Sequence, residues 1–205
     1  MEKIRMMLAG DSISLDYGKT LAAFLPEKFT MLDRKGVDEA YKNLDEPLGG
    51  NAGDSRRMLG LVRELCAKPN FDLFVFNCGL HDVKLNAPER VCQVPLDEYR
   101  SNLRDIIRLL KNNGVRPVFV TTTPADRSRY SENAGFWRRN EDVIDYNRAA
   151  LEIMDELGVG VIDLYSFTVA TGLVGDALFR DHTHFTPEVI RLHAAFIAGA
   201  LSELG

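Results

Sequence analysis

Four short apolar runs, at 4–9, 71–76, 117–121 and 159–164, are separated by stretches in which apolar residues recur every three to four positions. Runs with no polar alternation suit strands buried on both faces, and the spacers suit amphipathic helices. A weaker run at 29–32 adds a fifth strand. One helical pattern places Leu96, Tyr99, Leu103, Ile106 and Leu110 on one face before Gly114, and a second does so with Val143, Tyr146, Ala150, Ile153 and Leu157 before Gly158. A third runs through Met58, Leu61, Val62 and Leu65. The last opens on Thr186 as N-cap and Pro187 at the first helical position, then continues through Ile190, Ala194, Ile197 and Leu201. Strands alternating with helices imply right-handed crossovers and a parallel sheet with helices on both faces, an α/β architecture in three layers. With 205 residues, 45% of them hydrophobic, the chain is expected to form one domain over 1–205.

The charge balance narrows the partners. With 30 acidic and 25 basic residues the net charge is −5, the opposite of a nucleic-acid footprint. Cys66, Cys78 and Cys92 are odd in number and lack C-x-x-C spacing, so free thiols are expected rather than disulfides or a thiolate metal site. No apolar stretch approaches membrane-spanning length, and the apolar start before Gly10 is too short for a signal segment. A soluble, cytoplasmic protein without a membrane partner is the expectation.

The first strand runs straight into Gly10-Asp11-Ser12, and Asp181-His182-Thr183-His184 stands near the other end of the chain. Open α/β sheets place their sites at the carboxyl edge of the strands, where Ser12 falls. A serine hydroxyl is a poor nucleophile unless a base lies within hydrogen-bond reach and donors await the developing oxyanion. Asp181 and His184, three positions apart, can supply that base with its tautomer fixed by the carboxylate. Gly53-Asp54-Ser55 repeats the tripeptide but follows a turn-like segment, and there Asp54 or Ser55 reads as a helix cap. Asp11, Asn77 and Thr123 lie near strand ends as candidate substrate contacts, with Thr122 and Asn147 as weaker ones. Two long connections, 83–95 and 122–140, leave carboxyl ends of strands and are candidate pocket walls. The second carries Arg127, Arg129, Tyr130, Trp137, Arg138 and Arg139, a mixture suited to a sugar or an anion, which favours a carbohydrate acetyl ester as substrate.

The order Gly10-Asp11-Ser12, Asn51-x-Gly53, Gly79-x-His81-Asp82 and Asp181-x-x-His184 resembles the four blocks of the SGNH (GDSL-type) hydrolases, over nearly the whole chain. That resemblance implies a flavodoxin-like α/β/α sandwich and hydrolysis of esters or thioesters through an acyl-enzyme, with no cofactor. It further implies a Ser12, His184 and Asp181 triad. The oxyanion hole would be built from the Ser12 N–H, a glycine N–H of the second block and a side-chain amide of the third. Here the third block departs from the family: His81 stands where an asparagine is usual, and an imidazole N–H would have to take the amide's place. In the second block Gly53 or Arg56 can be registered as the donor, and Gly53 fits the pattern better.

Two other chemistries compete. Asp54, His81, Asp82, Asp181, His182 and His184 superficially resemble the metal-binding blocks of calcineurin-like phosphoesterases, although the first strand there ends in Asp-x-His. A binding domain that keeps the fold without catalysis is the other. Gly18-Lys19-Thr20 is no phosphate loop, because Ile13 occupies the required upstream glycine position.

Overall fold

The computed structural model describes residues 3–203. In chain order the elements are β1 (Ile4–Ala9), α1 (Ser12–Leu21), β2 (Phe29–Met31), α2 (Val37–Ala40), α3 (Ser55–Cys66), β3 (Leu73–Phe76) and β4 (Leu85–Asn86). There follow α4 (Leu96–Asn112), β5 (Arg116–Val120), β6 (Phe136–Trp137), α5 (Asn140–Glu156), β7 (Gly160–Ile162), α6 (Leu164–Ala170) and α7 (Pro187–Glu203). All five expected strands form, and they make one parallel sheet in the order β2-β1-β3-β5-β7. This is the flavodoxin-like order, whose switch point lies between β1 and β3. Helix contacts follow from the crossovers: α1 packs on α7 on one face, while α3, α4 and α5 pack in sequence on the other.

The continuous apolar runs are explained by this sandwich. Phe74, Val75 and Phe76 of β3 are wholly buried, and Phe76 meets Phe119 of β5 edge to face at 5.4 Å. Each such side chain removed from water contributes about 1.5–3 kcal/mol. From the other side α4 delivers Tyr99, Leu103, Ile106 and Leu110, the residues its periodicity marked. Thr186 precedes α7 as expected and its carbonyl takes the Ile190 N–H, but its hydroxyl turns away to the Ala177 carbonyl at 3.3 Å instead of capping the helix.

The two long connections are joined to each other. β4 and β6 form a small antiparallel ribbon, pairing Leu85 with Trp137 and Asn86 with Phe136. Cys66 and Cys78 are buried free thiols and Cys92 is a half-buried one. Among the described residues no helix is long and apolar enough to cross a membrane.

Candidate active site

The β1 to α1 junction is tight because of what crosses it. A Cβ on Gly10 would lie 1.9 Å from Asn77 Oδ1, so only glycine lets the end of β3 approach the end of β1 this closely. Asp11 then caps α1 by accepting the Ile13 N–H at 3.0 Å on Oδ1, while its Oδ2 accepts from Asn77 Nδ2 at 2.9 Å. Burial pushes the Asp11 carboxyl up, against the pull of the Asn77 and Ile13 hydrogen bonds. Ser12 is therefore the first residue of α1, where a backbone N–H has no intrahelical partner and the helix dipole favours negative charge.

His184 reaches Ser12 because α7 docks on α1 and because the loop ahead of α7 is pinned at several points. Arg180 N–H donates to the His184 carbonyl at 2.9 Å, and the Arg180 guanidinium pairs with Asp16 of α1 at 2.8 Å. Arg129 Nε donates to the Asp181 carbonyl at 2.9 Å. His184 Nε2 lies 2.8 Å from Ser12 Oγ, and His184 Nδ1 lies 2.8 Å from Asp181 Oδ2. Asp181 Oδ1 accepts the Thr183 and His184 N–H groups at 2.9 and 2.8 Å. Partial burial would lift the Asp181 pKa, but the His184 ring and these backbone donors outweigh it and hold the carboxylate far below its usual range. An ionised carboxylate only accepts, so Nδ1 carries the ring proton and Nε2 is left as acceptor for the serine hydroxyl. Ser12 and His184 are 3% and 2% exposed.

The second and third blocks are tied together by Asp82, whose two oxygens accept the Ser55 N–H at 3.0 and 3.1 Å. Burial lifts its pKa to about 7 in spite of these bonds. Asp54 caps α3 through the Arg57 N–H at 3.0 Å, so the second Gly-Asp-Ser is a helix start, as its context implied. Gly53 takes a left-handed φ of +66°, and its N–H donates to Asn51 Oδ1 at 3.0 Å. The Arg56 side chain turns outward to Glu98. Among the other candidates, Thr122 N–H and carbonyl are clamped by the Asn147 amide at 2.8 Å each. Asn77 Oδ1 and the Thr123 hydroxyl are buried without a protein partner.

His81 is 1% exposed and its Nε2 has no protein partner. Burial, reinforced by the charges of Arg138 and Lys84, pushes its pKa well below the ordinary histidine value, so the ring is neutral. The charges beside it were not legible in the sequence. Arg138 is fully buried and donates from Nε to the Leu80 carbonyl at 2.6 Å and from Nη1 to Tyr130 Oη at 3.0 Å. Asp45 Oδ1 lies 3.7 Å from Arg138 Nη1 and 3.2 Å from His182 Nε2. Arg34 is a second unforeseen brace, donating to the carbonyls of Gly10 and Gly50 and to Ser14 Oγ. Burial lowers its pKa to about 10.

The group that would have held metals in a phosphoesterase is dispersed. Asp54 and Asp82 serve the start of α3, His182 pairs with Asp45, and Asp181 and His184 pair with each other. Among the described residues no three His, Cys, Asp or Glu side chains gather as a ligand set. Several of the side chains on the 122–140 loop named for a sugar or an anion are engaged with protein. The Arg90 and Arg127 guanidinium groups each lie 3.8 Å from the Trp137 ring centre, Arg138 is inside the protein, and Arg129 is paired with Asp176.

Comparison with known proteins agrees with this architecture. The profile of the GDSL-like Lipase/Acylhydrolase family matches residues 8–192. An isoamyl acetate-hydrolyzing esterase of Saccharomyces cerevisiae is 25% identical over 91% of this chain and 81% of its own length. The isoamyl acetate-hydrolyzing esterase 1 homolog of Bos taurus is 24% identical over 90% and 76%. The crystal structure of an acetyl xylan esterase superposes with a TM-score of 0.71 at 16% identity, covering 97% of this chain and all of that one. The profile match spans all four blocks read from the sequence, and the chain belongs to the GDSL-like lipase/acylhydrolase family, as a carboxylic ester hydrolase with the α/β/α fold of that family.

Proposed function

We propose that the protein hydrolyses small acyl esters, acetates foremost, through an acyl-enzyme on Ser12. The observation that carries this reading is the unbroken chain Ser12 Oγ, His184 ring, Asp181 carboxylate, with both links at 2.8 Å. Ser12 Oγ attacks the carbonyl carbon while His184 Nε2 takes its proton. Negative charge then builds on the carbonyl oxygen, where the Ser12 N–H and a His81 Nε2–H donate to it. Gly53 joins them by sharing its N–H between Asn51 Oδ1 and the oxyanion. His184 returns the proton to the leaving alcohol, and water repeats the sequence to release the acid and free serine. Asn77 and Thr123, with unpartnered buried oxygens beside the strand ends, contact the substrate. The chemistry calls for no cofactor.

The choice of a small acyl group rests on the near-complete burial of Ser12 and His184, and on the acetate esters named for the yeast and bovine relatives. A series of p-nitrophenyl esters tests it. The kcat/KM for acetate should exceed that for octanoate by roughly 10- to 100-fold, since methylenes that do not fit are rejected at the transition state. A preference for octanoate would overturn the assignment. Isoamyl acetate and an acetylated xylo-oligosaccharide assayed side by side define the alcohol. The small alkyl ester is expected to be the better substrate, because Trp137 has its ring covered by two guanidinium groups.

His81→Ala should lower kcat by about 10²-fold, the usual cost of an oxyanion donor, with little change in KM. Steady-state kinetics on p-nitrophenyl acetate decide it. An unchanged kcat removes His81 from the oxyanion hole.

A further inference from the structure

Arg138 is the largest of the fully buried side chains, and a guanidinium is costly to take out of water unless its donors are used. The ribbon of β4 and β6 brings it to its place, since Arg138 directly follows β6 and β4 lies just beyond the third-block turn. Its shortest bond, at 2.6 Å, goes to the carbonyl of Leu80, the residue that precedes His81. The carboxylate that faces it, Asp45, stands 3.7 Å away and is shared with His182. Beside this cluster sits a ring nitrogen, His81 Nε2, buried without a protein partner.

We propose that Arg138 is a positioning residue for ester hydrolysis: it locks the turn that holds Leu80 and His81, so that Nε2 of the His81 ring is presented to the reacting carbonyl. The proposal rests on the oxyanion role given to His81 above. An asparagine at that position would need only to be aimed, whereas a histidine must also be kept uncharged. A proton on His81 would set a second cation near His184, which has to become imidazolium in the same transition state. The groups around the ring are mixed. Burial, Arg138, Lys84 and His184 disfavour the cation, and Asp45 favours it. Removing the Arg138 charge takes away the largest of the charges that oppose Asp45 at His81.

The test is a double-mutant cycle on the full chain with p-nitrophenyl acetate, pairing Arg138→Gln and Arg138→Lys with His81→Asn, and following kcat, KM and the acid limb of the kcat profile. In the natural background R138Q should lower kcat by about 10- to 100-fold with little change in KM, and should move the acid limb to higher pH by adding a second ionisation. R138K keeps the charge and should recover most of kcat with the original limb. In the H81N background, where position 81 cannot titrate, R138Q should leave the limb unmoved and cost several-fold less. Equal costs in the two backgrounds with unmoved limbs would overturn the proposal, and circular dichroism with melting curves shows that each variant is folded. If R138Q does not fold, Arg138→Met, which fills the buried site without the charge, is paired with H81N and read in the same way. An H81A variant with undiminished kcat would instead remove the oxyanion role itself, a different outcome from loss of coupling alone.

Discussion

Ser12→Ala should abolish hydrolysis of p-nitrophenyl acetate, lowering kcat by about 10⁵-fold or more, the loss seen when the nucleophile of a triad is removed. The fold should survive. Ser12 is the first residue of α1, the cap is supplied by Asp11, and the β1 to α1 turn depends on Gly10 against Asn77, none of which the substitution touches. Loss of one hydroxyl facing His184 leaves no large cavity, so the melting temperature should stay close to that of the natural protein. A fluorophosphonate probe followed by peptide mapping gives an independent readout. Labelling should fall on the peptide that contains Ser12 and vanish in the variant. Labelling at Ser55, or turnover that persists in S12A, would sink the nucleophile assignment.

Asp181→Asn should be nearly as damaging, with kcat reduced by about 10⁴-fold. Asparagine can still accept the Thr183 and His184 N–H groups that organise the loop, so its geometry is preserved. The other end of the side chain changes: an amide nitrogen facing Nδ1 donates, the imidazole moves its proton to Nε2, and Ser12 loses its acceptor. Because the Asp181 carboxyl is held far below its usual range, it stays ionised through mildly acid conditions. Stability owed to this pair is present above the unfolded-state pKa and is lost only as the pH falls toward the depressed folded value. Loss of activity in mild acid should therefore not follow Asp181. A D181N variant that retains more than a tenth of the natural rate would point to another orienting group, and Asp16, which pairs with Arg180 beside His184, is the one to examine next.

Much of this site was legible because its parts lie at the ends of long, regular elements. The run at 4–9 had to be a buried strand, so Ser12 had to emerge at the carboxyl edge of the sheet. What escaped notice is short or depends on distant partners. α2 spans four residues, and β4 and β6 two each, too few for any periodicity to show. Arg138 read as one of several arginines on a polar loop, and nothing local marks it as buried. Its partners are the Leu80 carbonyl, Tyr130 and Asp45, and only the folded chain gathers them. The same limit hid Arg34, whose acceptors are mostly backbone carbonyls. The Asp11–Asn77 hydrogen bond escaped notice as well, because each residue taken alone reads only as a polar group near the edge of the sheet.

The 172-residue separation of Ser12 and His184 has a consequence for synthesis. Ser12 leaves the ribosome long before His184, so on the proposed mechanism the growing polypeptide carries an unarmed hydroxyl until His184 has been made. On that mechanism hydrolytic power appears only when α7 has seated on α1. Turnover would then report that α1 and α7 have docked, and a clip that frees α7 would silence hydrolysis while leaving Ser12 chemically untouched.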